Sequence, residues 1–219
     1  MLQLVAVPIG EPGEITFRAI EALKNCEILI CESTKEASRL LKHYGIAGKT
    51  YELLNEHSSK EDYSRLASLC QEKVCALISD AGTPGFCDPG AELVRLCRQK
   101  GVEIRSLLGP SALMGLLSLS SRRLDEFVFR GFLPAENKAR QEELKKLKKE
   151  KRAIILMDTP YRLEKLLSEL AACFPERQAL LVTDLSLPSE KHFEDLCANL
   201  PKICNINKSE FMILIYPDS

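Results

Sequence analysis

Residues 78–90 read ISDAGTPGFCDPG: the end of an apolar run, then three glycines, two prolines and two aspartates before a helical pattern resumes. A strand-to-helix turn in an α/β protein needs only two to six residues. This one is longer, and its glycines permit either left-handed backbone or close approach to another group. The run before it, VCALIS (74–79), has the apolar character of a strand buried on both faces, and AELVRLC (91–97) has helical periodicity.

Outward from there the same alternation repeats. LQLVAVP (2–8), EILICE (27–32), KTYELL (49–54) and VEIRSL (102–107) read as strands, with helices expected near 14–24, 34–43, 59–71, 88–100 and 111–119. This alternation predicts a mainly parallel sheet with helices on its faces. Beyond a polar stretch at 119–125 the pattern restarts with strands at 126–132, 152–158, 178–184 and 210–216, and helices near 136–150, 160–173 and 189–199. Two α/β domains are expected, 1–120 and 121–219, with a ligand cleft between them.

The chain has 219 residues, a net charge of −1 and 45% hydrophobic residues. That is enough apolar material for a core and no global basic field of the kind that marks a nucleic-acid binder. Nine cysteines without a CxxC pair read as reduced, mostly buried thiols, and no metal site is expected. The N-terminal MLQLVAVPIG lacks a basic n-region, so a cytoplasmic protein is expected, without a membrane or DNA partner.

Three glycine/proline loops follow strands in the first half: PIGEPGE (8–14), the 79–90 loop, and LLGPSALMG (107–115). In a parallel sheet they gather at the carboxyl ends of the strands, where ligands bind. None is a Walker or GxGxxG sequence, so they fit a ligand needing backbone contact and little charge neutralisation. S-adenosylmethionine (SAM) meets that description.

The string SDAGTPGFCDPGAELVRLCRQKGVEIRSLLGPSAL resembles the signature region of the tetrapyrrole methylase superfamily. Within it the chain is most similar to the bacterial 16S ribosomal RNA 2′-O-ribose (cytidine) methyltransferases, through SDAGTP-x-x-x-DPG, VPIGEPGEIT (7–16), EFVFRGFLP (126–134), MDTPYRL (157–163) and KSEFMILI (208–215). The resemblance implies a two-domain fold, the second sheet mixed, binding SAM and acting as a homodimer on ribosomal RNA or the small ribosomal subunit. It assigns cofactor contacts to Pro8, Ile9, Ala81, Gly82, Thr83, Pro84, Phe86, Ser111 and Ala112. Asp158, Leu185 and Glu210 complete that set from the second half.

A ribose hydroxyl benefits from a base, for which Glu32 of CESTK and Glu56 and His57 of LNEHSS are candidates. Asp88 and Pro89 are expected as N-cap and first turn of the following helix. The chain departs from the family at Ser33 and Lys35, where the family has Asp and Arg, at Tyr161, where it has His, and at Asp158, where it has Glu. It reads as a short form lacking the C-terminal helical domain of many relatives. A basic run, KARQEELKKLKKEKR (138–152), joined by Arg122, Arg123 and Arg130, could contact phosphates or be a solvated helix face. Methylation of a tetrapyrrole or other small molecule, and a non-catalytic SAM- or partner-binding role, are the alternatives.

Overall fold

The computed structural model describes residues 1–218, which divide into two compact units, the first ending at Ser111 and the second beginning at Ala112. In the first unit the elements alternate as expected: β1 (Leu2–Val5), α1 (Phe17–Asn25), β2 (Ile28–Cys31), α2 (Thr34–His43), β3 (Thr50–Leu53), α3 (Lys60–Glu72), β4 (Cys75–Leu77), α4 (Ala91–Gln99) and β5 (Ile104–Leu107). The five strands pair in parallel in the order β3-β2-β4-β1-β5.

Their apolar runs are continuous because both faces are covered, and side chains alternate between two cores. Val5, Leu29, Cys31, Ala76 and Ile78 face α1 and α2, which contribute Ala19, Leu23, Ala37 and Leu41. Leu2, Ile28, Ile30, Cys75 and Leu77 face α3 and α4, which contribute Leu66, Cys70, Leu93 and Cys97. Six of the nine cysteines are buried. Short polar caps start the helices: Thr16 accepts from the Ala19 amide and Ser33 from Glu36, while Ser59 and Asp62 form a reciprocal box.

The chain leaves β1 toward the α1/α2 face but leaves β4 toward the α3/α4 face, although β1 and β4 are neighbours. Adjacent loops that part in this way open a crevice at the carboxyl edge, the usual ligand position in an open α/β sheet.

The second unit runs α5 (Ala112–Ser118), β6 (Phe127–Gly131), α6 (Asn137–Leu147), β7 (Ala153–Asp158), α7 (Leu163–Cys173), β8 (Gln178–Thr183), β9 (Lys191–Leu196), α8 (Leu200–Ile203) and β10 (Phe211–Ile215). Its sheet is mixed, in the order β6-β7-β10-β8-β9, with only β6 and β7 parallel. Ile154, Leu156, Phe211 and Ile213 meet α6 and α7 on one face. Ala153, Ile155, Met212 and Leu214 meet Leu116 of α5 on the other. Because α5 packs on this second sheet, the contact boundary lies at 111/112 rather than at 120/121.

Two expectations are corrected here. The stretch 189–199 is not a helix, because Lys191–Leu196 forms an antiparallel edge strand against β8. Phe193 packs on the core while Lys191, His192 and Glu194 stay in solvent. That is the pattern of a half-solvated strand, with too little apolar surface for an amphipathic helix.

Arg140 does not belong to a basic surface. Its side chain is 1% exposed, and it donates to Asp158 (2.8 Å) and to Glu169 (2.7 Å). Removing one partner of a buried pair strands the other charges. We therefore expect Arg140→Met to lower the unfolding free energy by about 3–5 kcal/mol, read from urea denaturation.

Candidate functional site

In the first unit the three glycine loops are tied together at the switch point. The Val7 amide donates to the Gly82 carbonyl (2.9 Å), and the Gly82 amide donates back to Val7 (3.2 Å). Gly82 has a φ of +76°, a conformation that a side chain strains, and its α-carbon faces Ile9 and the Pro110 carbonyl. Thr83 donates its hydroxyl to the Pro110 carbonyl (2.9 Å). Pro8, Ile9, Gly82, Thr83 and the 107–111 loop are thus brought together. Ala81 and Phe86 are exposed beside them, and Pro84 is buried.

The later part of the loop has an internal reason for its glycines. A Cβ on Gly90 would lie 3.0 Å from the Gly85 α-carbon and 3.1 Å from Leu77, so the loop folds tightly against itself before α4 begins. Asp88 is not the N-cap. The cap is Gly90, with no side-chain hydrogen bond, and the helix starts at Ala91. The Asp88 carboxyl instead faces other carboxylates, an arrangement that helix-capping rules read from sequence cannot reveal.

Glu32 follows β2, Asp80 follows β4, and the two strands are neighbours, so these acids and Asp88 cluster at one edge of the sheet. Burial, then Asp80, pushes Asp88 up to about 6. Burial, then Asp88 and Asp80, raises Glu32, while partial desolvation and Glu36 raise Asp80. Like charges that share a site resist joint ionisation. Glu32, a candidate base, is therefore joined by two acids that the sequence reading passed over. The signal was present in SDAG and DPG, two aspartates flanking a glycine loop at a strand end.

Glu56 and His57 are placed differently. They occupy the 55–59 turn with side chains 86% and 84% exposed, paired only loosely with each other at 3.6 Å. His57 lines an open polar depression with Thr34, Asn55, Asp62 and an Arg65–Glu52 ion pair of 2.8 Å. Among the described residues no buried group is seen to orient either side chain.

In the second unit Asp158 is fully buried, and its carboxylate accepts from Arg140 and from the Thr159 amide (2.9 Å). With a further contact from Arg162 (3.4 Å), both of its oxygens are engaged within this unit, and it orders the 158–162 turn. Leu185 lies between two residues in left-handed conformation, Asp184 (φ +50°) and Ser186 (φ +71°). The turn is held by the Asp184 amide donating to the Glu210 carbonyl (2.8 Å) and by the Ser189 and Ser209 hydroxyls on the Asp184 carboxylate. Leu185 covers Gly115, where a Cβ would lie 2.9 Å from it. Strained backbone of this kind persists where the surroundings over-determine it, often at ligand sites. Glu210, raised by burial and then by Asp184, flanks the same turn, and Ala112 begins α5.

The family model for tetrapyrrole (corrin/porphyrin) methylases matches residues 1–201. The chain belongs to this methylase family. It is an enzyme of the SAM-dependent methyltransferase class. It is 36% identical over 98% of its length to a protein of Leptospira biflexa named ribosomal RNA small subunit methyltransferase I, covering 90% of that protein. A Vibrio cholerae protein of the same name is 34% identical over 99% of this chain and 77% of its own. The methylase also shares its fold with solved structures. One is a diphthine synthase (TM-score 0.75, 17% identity, 100% and 90% of the two chains). Another is a Thermus thermophilus uroporphyrin-III C-methyltransferase complexed with S-adenosylhomocysteine (TM-score 0.66, 16% identity, 98% and 96%).

The first unit of this methylase fits such a cofactor on its own chemistry. The crest around Gly82 presents backbone and small side chains suited to an uncharged nucleoside. The carboxylates beside it suit a molecule whose sulfonium and ammonium are positive.

Asp88 also has a stability signature. With its folded pKa raised, Asp88 destabilises the fold once it ionises, between its unfolded value near 4 and its folded value of about 6. Asp88→Asn should therefore raise stability by about 1 kcal/mol at pH 7.5, after discounting for its partial exposure, and by nothing near pH 4. Parallel urea titrations at the two pH values check this.

Proposed function

We propose that this methyltransferase acts on ribosomal RNA of the small subunit, transferring the SAM methyl group to a ribose 2′-hydroxyl. The observation that carries the reading is the glycine crest at the β1/β4 switch point with acids beside it. Its support on the substrate side is the 31–36% identity of relatives named small-subunit ribosomal RNA methyltransferases, over nearly the whole chain.

Methyl transfer from a sulfonium is a single displacement at an activated carbon, so alignment and water exclusion supply most of the acceleration. Pro8, Ile9, Ala81, Gly82, Thr83, Pro84, Phe86 and Ser111 hold the cofactor. The family resemblance extends the same set to Ala112, Asp158, Leu185 and Glu210, and Asp158 also fixes its own turn. The acceptor hydroxyl gives up its proton to a carboxylate of the Glu32/Asp80/Asp88 group. A carboxylate raised toward neutrality is a better proton acceptor than one at its ordinary value. Action as a homodimer in the cytoplasm belongs to this reading.

Ala81 is exposed at the crest, so a large side chain there obstructs the cofactor without disturbing the core. With methyl-tritiated SAM and small ribosomal subunits from a strain lacking the activity, the wild-type chain should place ribose-linked label in the 16S RNA. Ala81→Trp should reduce the label at least tenfold while keeping the wild-type melting temperature. Label in base carbons or nitrogens would refute the ribose assignment, and absence of any RNA label would refute the substrate.

A further inference from the structure

The second unit carries a surface that the methyl-transfer site does not use. Tyr161, in the turn after β7, has 77% of its surface exposed, and the Lys208 ammonium sits 4.0 Å from its ring centroid. A large aromatic side chain in solvent with a cation on one side leaves its other face open for stacking against a partner. Four residues on, Lys165 at the start of α7 donates to Asn137 (2.7 Å), the first residue of α6. The surface thereby continues onto the outer face of α6.

That face is not a neutralised helix surface. Glu143 is engaged by Arg130 (2.6 Å) and Lys146 (3.3 Å), and Glu150 by Arg152 (2.7 Å). Leu144, Leu147 and Arg140 point inward. Lys138, Lys145 and Lys149 remain exposed, and among the described residues none of them enters an ion pair, although Glu142 interrupts their row. Lys138 and Lys145, seven residues apart, share one side of α6 about 10 Å apart at 1.5 Å per residue, and Lys149 follows in the turn just past its end at Leu147.

We propose that Tyr161 with Lys208, continued by Lys165 and the Lys138–Lys145–Lys149 row, is the track on which this protein holds single-stranded RNA. A base stacks on the open face of Tyr161, and the lysines meet successive phosphates. An aromatic platform joined to a cationic groove is how unpaired RNA is gripped, and lysine serves as a phosphate point charge without needing a bidentate fork. An anionic membrane fits less well, because the apolar side of α6 is buried in the core and none remains to enter a bilayer. The inference rests on the ribosomal RNA reading for its biological partner, but its test does not depend on methylation.

The test uses the full chain and a labelled single-stranded RNA of about 12 nucleotides, with fluorescence anisotropy followed across a potassium chloride series. Lys138→Gln/Lys145→Gln/Lys149→Gln should reduce the slope of log affinity against log salt by about two, at about 0.7 per lost phosphate contact. Tyr161→Ala should weaken binding about tenfold with the slope unchanged, and Tyr161→Phe should restore it. SAM affinity by calorimetry should stay at the wild-type value in all three.

RNA binding with the wild-type slope in the triple variant and wild-type affinity in Tyr161→Ala would overturn the track. So would binding to phosphatidylserine vesicles with none to RNA. If the variants behave as expected but the wild type labels no ribosomal RNA, the track stands and the substrate reading falls. If the wild type labels ribosomal RNA while the triple variant and Tyr161→Ala bind RNA as the wild type does, the substrate reading stands and the track falls.

Discussion

The first unit depends on one backbone pairing, the reciprocal hydrogen bonds between Val7 and Gly82. β1 and β4 run side by side, but their exits must part toward opposite faces of the sheet. Two extra bonds past the strand ends hold the loops together where they would otherwise splay. Gly82 can close that bridge because it tolerates a φ of +76°. Thr83 then ties the third loop through Pro110. Three segments far apart in sequence thus form one rigid crest, and rigidity at the ligand-facing edge is what a positioning catalyst requires.

The same crest explains why acids stand beside it uncompensated. A fold selected for stability alone would pair Glu32, Asp80 and Asp88 with lysine or arginine. Burial raises all three, and neighbouring acids add to it, Asp80 on Asp88, both on Glu32, and Glu36 on Asp80, at a cost that the well-packed strands can carry. Stored electrostatic stress of this kind is relieved by a cation, and SAM is one. The proposed position of SAM beside these acids is consistent with that relief.

Much of this was legible beforehand, for identifiable reasons. The parallel sheet was readable because strands buried on both faces leave unbroken apolar runs such as EILICE and VCALIS. The glycine loops were readable because left-handed turns restrict residue choice. What escaped was set by tertiary context. Asp88-Pro89 has the local form of a helix start, yet Gly90 packs so closely on Gly85 that the helix begins two residues later, at Ala91, and Asp88 turns to its fellow acids. The edge strand at Lys191–Leu196 carries one inward apolar side chain, too weak a period for either assignment from sequence. His57 has the right chemistry for a base, but nothing in its sequence shows that its turn leaves it in solvent.

The basic run 138–152 shows most plainly what structure adds. In sequence its eight cations are equivalent, and a solvated face competes evenly with a phosphate-binding one. In the fold they separate into three kinds. Arg140 is interior, holding Asp158 and Glu169 and so fixing the turn that carries Tyr161. Lys146 and Arg152 are matched with glutamates. Lys138, Lys145, Lys148, Lys149 and Lys151 are left exposed, without an ion pair among the described residues. The aromatic side chain that the run itself lacks comes from the turn that Arg140 orders. One buried arginine thus links core packing to the presentation of the exposed ring, and the charge that looked like surface decoration belongs partly to the architecture beneath it.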